Sequence, residues 1–429
     1  MRSTLFYIPH EFLGMPVFGF GWVLAIWAVV AIALLAQSVR RYGWTRDLLS
    51  QIVVALLVGA FIAFLLPQLA EKEGLPIRGY GTMLLLATIA AVGLALWRAP
   101  ERGLNADLVF SLTLWVFLVG IAGARLFYVI EYWDRIRVVD GSGNLLWFRT
   151  FVNAINLTQG GLVVYGSIFG GIVAIIVFAR RTGLPLLGLM DFVAPSFMLG
   201  LALGRLGCFL NGCCFGAVCD LPWAVRFPAG SLPHVHQVEK GIAFIHGVKL
   251  APEDPPRIAA VEPASAAESS GIRPGDRILA VDEIPTATRS AAQGALMAAH
   301  TKGSQLCLAI AGRTQPVCFA ISPPTSLPVH PTQIYSAINA FLICLFLLAF
   351  ERFRQHDGQV VAMMFTVYPL TRFLLEILRD DEPWVIAGQN LGLTIAQTIS
   401  LVLLAGAVIL WLYIFRTKPG RWQAAAPSA

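Results

Sequence analysis

The sequence predicts an all-α polytopic membrane protein of nine transmembrane helices, interrupted by one small α/β domain. Composition gives the first reason: 57% of the 429 residues are hydrophobic, 13% are charged, and the mean hydropathy is +0.71. That is more apolar surface than one aqueous core can hide. Apolar stretches long enough to cross about 30 Å of hydrocarbon give the second. The third is a break between Ser231 and Thr325, where the apolar runs shorten and the composition becomes that of a soluble domain.

The apolar stretches lie near residues 18–36, 51–70, 80–97, 108–130, 161–179, 186–210, 334–351, 360–378 and 393–416. The first two duplicate the next two. GMPVFGFG, Gly14 to Gly21, returns sixty residues later as GLPIRGYG, Gly74 to Gly81, and Asp47-Leu48 and Val58-Gly59 have counterparts in Asp107-Leu108 and Val119-Gly120. Arg78, Tyr80 and Arg125 have no polar equivalents in the first copy, so chemistry belongs to the second. The flanks of the break, SLPHVH at 231–236 and SLPVH at 326–330, are near copies, so excision would join Gly230 to Ser326. The expected organisation is an extra two-helix segment at 1–73, a seven-helix core at 74–230 and 326–429, and a guest domain at 231–325.

No basic n-region with a cleavage site precedes the first stretch, which is expected to act as the insertion signal itself. Arg40, Arg41 and Arg46 follow span one, Arg98 and Arg102 span three, Arg180 and Arg181 span five, Arg352 and Arg354 span seven, and Arg416, Lys418 and Arg421 span nine. All share one side, which the positive-inside rule makes cytoplasmic along with the C-terminus, leaving the N-terminus and the guest domain outside. Topology thus accounts for the net charge of +6. No nucleic-acid partner is expected, because its footprint would be a basic patch on a soluble domain.

Within the guest domain, RIAAVEPASAAESSGIRPGDRILAVDEIP (Arg257 to Pro285) reads as a strand, a short helix from Ser265, a turn at Arg273-Pro274-Gly275-Asp276 and an alternating strand. A helix at 288–300 and strands at LCLAIAG and QPVCFAI complete it. The Pro-x-Ser-x-Ala and Gly-Ile-x-Pro-Gly-Asp-x-Ile signals resemble the PDZ family. Such domains add an extended peptide to a sheet edge and hold its C-terminal carboxylate on backbone N–H groups. The resemblance makes Gly241, Ile242, Ala243 and Phe244, after Lys240, the candidate carboxylate loop, and an extended or C-terminal peptide the expected ligand.

An ionisable residue at mid-membrane costs roughly 2.5 to 3.5 kcal/mol, so each one needs a reason. Spans three to nine hold Arg125, Asp191, Arg205, Arg372, Glu376 and Arg379, with Asn211, His330 and Gln333 at helix ends. The surplus positive charge suits an anionic headgroup, and guanidinium binds phosphate bidentately. Tyr368, Arg372, Glu376 and Arg379 recur at spacings of four, four and three, which puts them on one helix face. Tyr80, Arg205 and His330 fall near outer helix ends. The competing reading has Arg372 and Glu376 pairing with each other while Arg125 and Arg379 snorkel to the interface.

GRLGCFLNGCCFG (Gly204 to Gly216), HPTQIYSA (His330 to Ala337), YPLTRFLLEILRDDEP (Tyr368 to Pro383), LPIRGYG and GARLFYV (Gly123 to Val129) together resemble the prolipoprotein diacylglyceryl transferases. Their order and spacing fit from about Leu75 to Phe415 once the guest domain is removed. The resemblance implies a cofactor-free enzyme of the bacterial cytoplasmic (inner) membrane. Such an enzyme moves diacylglyceryl from phosphatidylglycerol to the lipobox cysteine of a prolipoprotein signal peptide, forming a thioether and releasing glycerol phosphate. Expelling a phosphate monoester asks for cations, and ionising the acceptor thiol asks for a base. The resemblance assigns Arg205 and Arg372 to the phosphate, Tyr80 and Tyr368 to headgroup hydrogen bonds, and Asn211 and Gly216 to closing the signature. Glu376, beside Arg372, joins the substrate-binding set.

Three positions depart from the family pattern. Where several members carry a histidine before a double glycine, this chain has Tyr165 in GGLVVYGSIFGG, and in GRxGNFxNxExxG Cys208 replaces asparagine and Cys213 glutamate. Tyr165 and His330 are the candidate groups for proton transfer. An alternative reading is a diverged homologue that serves as a membrane-anchored, peptide-binding adaptor. An intramembrane metalloprotease is disfavoured because the chain has no HExxH. Cys208, Cys213, Cys214 and Cys219 follow CxxxxCCxxxxC, unlike the paired CxxC of a zinc site, and adjacent cysteines chelate one ion awkwardly. No metal is assigned on that spacing; a disulfide from Cys219 to Cys213 or Cys214, and packed free thiols, both stay open.

Overall fold

Apolar runs that find no water for their peptide groups must bond internally, and helices do so within one segment. The computed structural model describes residues 4–44, 46–71, 73–141, 144–156, 160–299, 305–321, 325–381, 392–417 and 420–422. They divide into two units, Met1–Met83 and Leu84–Ala429.

In the first unit, strands β1 (Thr4–Ile8), β2 (Glu11–Phe12) and β3 (Met15–Pro16) precede helices α1 (Trp22–Tyr42) and α2 (Arg46–Ala60), and β4 (Leu75–Arg78) follows. β1 pairs antiparallel with β4, Ile8 opposite Leu75, and β2 pairs with β3. The Trp27 indole Nε1 donates to the Ala55 carbonyl at 3.1 Å, tying α1 to α2.

From α3 (Gly79–Arg98) onward the chain runs through α4 (Ala106–Glu131), the short α5 (Trp133–Ile136), α6 (Trp147–Ile155), α7 (Val164–Thr182) and α8 (Leu186–Asn211). α4 and α7 pack with their backbones nearly touching: a Cβ on Gly123 would stand 2.4 Å from the Gly166 carbonyl oxygen, and one on Gly166 would stand 2.3 Å from that of Gly123. Small residues allow this approach where lipid offers no hydrophobic drive.

Helix α9 (Leu232–Glu239) opens the next segment, which continues with β5 (Val248–Leu250), β6 (Ile258–Val261), α10 (Ala266–Ser269), β7 (Ile278–Val281), β8 (Ile284–Pro285), α11 (Arg289–Ala299), β9 (Gln305–Ile310) and β10 (Val317–Ala320). Four strands form an antiparallel sheet in the order β10-β9-β7-β8, while β5 and β6 form a separate pair. Ile245, Val248, Ile278, Leu296, Leu306 and Leu308 make its core. The two ends of the segment meet: Phe227 N–H donates to Ser326 Oγ and Ser326 N–H to the Phe227 carbonyl, each at 2.8 Å.

The last three helices are α12 (Thr332–Phe350), α13 (Gln359–Glu376) and α14 (Ile395–Arg416). α8, α12 and α13 share a core in which Ala194 and Met198 meet Ala340, Leu347, Val360 and Val361. Among the described residues seven helical segments are long and apolar enough to cross a membrane. The other two expected spans fold as α7 and α13, the latter carrying Gln359, Arg372 and Glu376 within eighteen residues.

The structure's disulfide is one that spacing missed. Cys307 and Cys318 stand directly opposite each other on β9 and β10 and are bonded, whereas Cys208, Cys213, Cys214 and Cys219 are all free thiols. Several arginines read as loop charges also prove buried. Arg98 and Arg102 both pair with Glu351, Arg98 donates to the Phe192 carbonyl at 2.6 Å, and Arg354 pairs with Asp191 at 3.1 Å. Asp191 also accepts from the N–H groups of Gly358 (2.8 Å) and Val361 (2.9 Å), so it caps the start of α13.

Candidate active site

Polar residues gather at the opposite end of α13, where α8 ends and α12 begins. α8 stops by a Schellman turn: Gly212, left-handed at φ 78°, donates to the Phe209 carbonyl, and Cys213 donates to that of Cys208, both at 3.2 Å. The chain then runs as a short extended strip. Gly216 N–H donates to the His330 carbonyl at 3.0 Å, His330 N–H to the Ala217 carbonyl at 3.0 Å, and Ala217 N–H to the Leu378 carbonyl at 2.9 Å. The strip therefore joins the segment before α12 to the segment after α13. Side chains finish the attachment, with Thr332 Oγ1 donating to the Cys214 carbonyl at 2.6 Å and Gln333 Nε2 to that of Cys213 at 2.7 Å.

Arg205 lies one and a half turns before the end of α8. Its Nη1 reaches Cys214 Sγ at 3.7 Å, and its guanidinium lies beside the Tyr368 side chain. Arg372 stands one turn beyond Tyr368 on the same face of α13. The pairing reading holds for it: Arg372 Nη1 donates to Glu376 Oε2, Arg379 Nη1 reaches the same oxygen at 3.3 Å, and Thr394 Oγ1 donates to Oε1 at 3.1 Å. Arg379 also grips Asp381 with two nitrogens, at 2.9 and 3.0 Å. Arg379 and Thr394 were absent from the expected site set, although Arg379 shares the helix-face spacing and Thr394 opens the S/T-x-x-Q capping box of α14. Among the described residues, Arg205 is the one arginine of this group with no carboxylate partner.

The thiols converge as well. The sulfur atoms of Cys208, Cys213 and Cys214 all lie within 4.8 Å of one another. Thiol hydrogen bonds with Cys208 and Cys213, helped by the charges of Arg379 and Arg205, pull Cys214 below the ordinary thiol range against the opposing effect of burial. Asn211 is exposed at the end of α8, two residues before Cys213, whose thiol donates to the Cys208 carbonyl at 3.7 Å.

The remaining expected residues are placed as follows. His330 Nδ1 lies 3.5 Å from the Tyr335 hydroxyl, which accepts from Trp223 Nε1 at 2.7 Å. Tyr80 is exposed in the first turn of α3. Tyr165 falls in the first turn of α7, and its side chain lies outside the described residues. Arg125 spends its donors on the carbonyls of Asn153, Ala154, Gly160 and Gly161, so it fixes that segment and does not join the cluster. In the candidate peptide loop, Gly241 N–H donates to the Val238 carbonyl, and those of Ile242 and Ala243 to the Gln237 carbonyl. An incoming carboxylate would compete with α9 for these donors.

The family model described as prolipoprotein diacylglyceryl transferase matches residues 67–413. The chain belongs to this family. A phosphatidylglycerol–prolipoprotein diacylglyceryl transferase of Rhodopirellula baltica is 33% identical over 95% of this chain and 88% of its own length. Relatives of the same description from Clostridium perfringens and Clostridium tetani are 27% and 26% identical, over 80% and 83% of this chain and 93% and 99% of theirs. The prolipoprotein diacylglyceryl transferase match begins between α2 and β4 and runs into the last turn of α14.

Proposed function

We propose that this chain transfers the diacylglyceryl group of phosphatidylglycerol to the lipobox cysteine of a prolipoprotein. The acceptor thiolate attacks the glycerol carbon that carries the phosphate; a sulfur–carbon bond forms, the carbon–oxygen bond breaks, and glycerol phosphate leaves. The phosphodiester monoanion becomes a monoester dianion, so a cation beside it stabilises the transition state more than the ground state. The single observation that supports this role is the partly buried Arg205, beside Tyr368 and lacking a carboxylate partner among the described residues. Arg372, one turn from Tyr368, is the second proposed phosphate contact, with Glu376 holding it in place. Asn211 is proposed to contact the headgroup, and His330 to take the proton of the acceptor thiol.

Nine spans, with the site end and the insert extracytoplasmic and the C-terminus cytoplasmic, would give the site access to exported precursors in the bacterial cytoplasmic membrane. The Cys307–Cys318 disulfide supports that orientation, since such bonds persist in oxidising compartments. The bonds between Phe227 and Ser326 support residues 231–325 as a guest domain within one transferase core.

The test is transfer from labelled phosphatidylglycerol to a lipobox peptide by purified protein, together with rescue of a strain depleted of its own transferase. Arg205→Ala is expected to lower turnover by about a hundredfold or more. Full rescue by both Arg205→Ala and Arg372→Ala would sink the phosphate-clamp reading.

A further inference from the structure

We propose that Cys208, Cys213 and Cys214 form a three-thiolate site for a thiophilic divalent cation of the zinc type, with its fourth coordination position open to an external thiol. Two of these cysteines stand where the family pattern has asparagine and glutamate, so the departures and the cluster are one feature.

Geometry carries the site. Three sulfurs at about 2.3 Å from one tetrahedral ion lie about 3.8 Å apart, and here all three already fall within 4.8 Å of one another. Neighbouring residues normally point their side chains apart, which is why the adjacent pair argued against chelation. The backbone removes that obstacle: Gly212 is left-handed at φ 78° and so is Cys214 at φ 59°, so the chain folds back and returns both thiols toward Cys208. A non-glycine residue in this conformation is uncommon and costs roughly 1 to 2 kcal/mol. Thr332 and Gln333 hold it by bonding the Cys214 and Cys213 carbonyls, which leaves the sulfurs free to face one another. None of the three is in a disulfide, and all are partly exposed, so a fourth ligand can approach.

Chemistry selects the ion. The cluster contains no carboxylate, which disfavours magnesium and calcium, and thiolates favour zinc and its soft relatives. On binding, each of the three thiols releases its proton to solvent, and the divalent ion with three thiolates carries one net negative charge. Arg205, 3.7 Å from Cys214 Sγ, and Arg379, whose charge also acts on Cys214, match that anion. A thiol entering the open position would ionise on the metal and lie beside the arginine proposed for the phosphate. This role of the open position rests on the transferase reading; the metal site does not.

The experiment uses the purified full-length chain in detergent, titrated with divalent cobalt and then with N-acetylcysteine. One cobalt per chain is expected, with a thiolate-to-metal charge-transfer band that shifts when N-acetylcysteine adds a fourth sulfur. Cys214→Ser should lower the band per ion by about one third, as one of three thiolates is lost, and the triple serine variant should abolish it, while Cys219→Ser and Cys344→Ser leave it intact. No band, or a band that survives in the triple variant with unchanged thermal unfolding, overturns the site. A band indifferent to N-acetylcysteine overturns the open position. Transfer to the lipobox peptide by the metal-stripped chain at full rate overturns the thiol-activating role while leaving the transferase reading standing; cobalt binding without any transfer overturns the transferase reading, and the thiol-activating role with it, while leaving the metal site standing.

Discussion

Gly216 and His330 stand so close that a Cβ added to Gly216 would lie 2.6 Å from His330 Cβ, while the Gly216 amide donates to the His330 carbonyl at 3.0 Å. The same added carbon would meet the Leu378 carbonyl oxygen at 2.7 Å and Thr332 Cγ2 at 2.8 Å. Only glycine lets three segments close here. Gly216→Ala is expected to cost about 1 to 3 kcal/mol and to lower turnover, because Arg379 and His330 both hang on this strip. Gly204→Ala, on the open side of α8 with nothing within 4 Å, should be neutral or slightly stabilising. Thermal unfolding in detergent with peptide-transfer assays compares them, and equal melting of the two variants would refute the packing account.

Glu376 is buried and receives Arg372, Arg379 and Thr394. Removing a buried carboxylate leaves its partners charged and unpaired, which typically costs about 3 to 5 kcal/mol. Glu376→Ala should melt correspondingly earlier, and Glu376→Gln, which keeps an acceptor for Thr394, should lose less. An unchanged melting point for Glu376→Ala would show that Arg372 does not depend on this partner.

Asp191 serves the other end of the same helix. Asp191→Ala removes the acceptor of Gly358 and Val361 and a carboxylate of Arg354, and is expected to destabilise by about 3 kcal/mol. Turnover per folded molecule should fall less than tenfold. A larger catalytic loss than stability loss would place Asp191 in the chemistry.

Cysteine counting checks the pairing directly. Of the seven cysteines, five are free. Alkylation of the denatured, unreduced chain should therefore label five thiols, and prior reduction should expose the remaining two at Cys307 and Cys318 by mass spectrometry. Protection of Cys219 in place of Cys318 would contradict the structure.

The face of α13 that carries Tyr368, Arg372 and Glu376 could be read in the sequence because helix geometry turns spacings of four into adjacency; Arg379, expected on the same face, lies past the helix end at Glu376 and bridges to Gly216. Family membership was equally legible, carried by several short motifs in order. The three-thiol cluster was not, because residue spacing does not encode a left-handed Cys214. Buried partners distant in sequence were also hidden: Arg98 with Glu351 and Arg354 with Asp191 are separated by 253 and 163 residues, so no local pattern links them, and the arginines read simply as loop charges. The Cys307–Cys318 bond does have a local signal, since two strands joined by a short turn place those positions opposite each other. The N–H groups of Gly241, Ile242 and Ala243 donate to carbonyls near the end of α9, a helix opened by Ser231 with Pro233 in its first turn.

Asp191 at one end of α13 and the Arg205–Tyr368 contact near the other make that helix a spacer of fixed phase. From Val361 to Arg372 is eleven residues, about 16 Å along the axis. Deleting one residue in that interval would swing Arg372 about 100° around the helix and draw it about 1.5 Å nearer the anchored end. The interval should therefore tolerate substitutions of its lipid-facing side chains far better than any change of length.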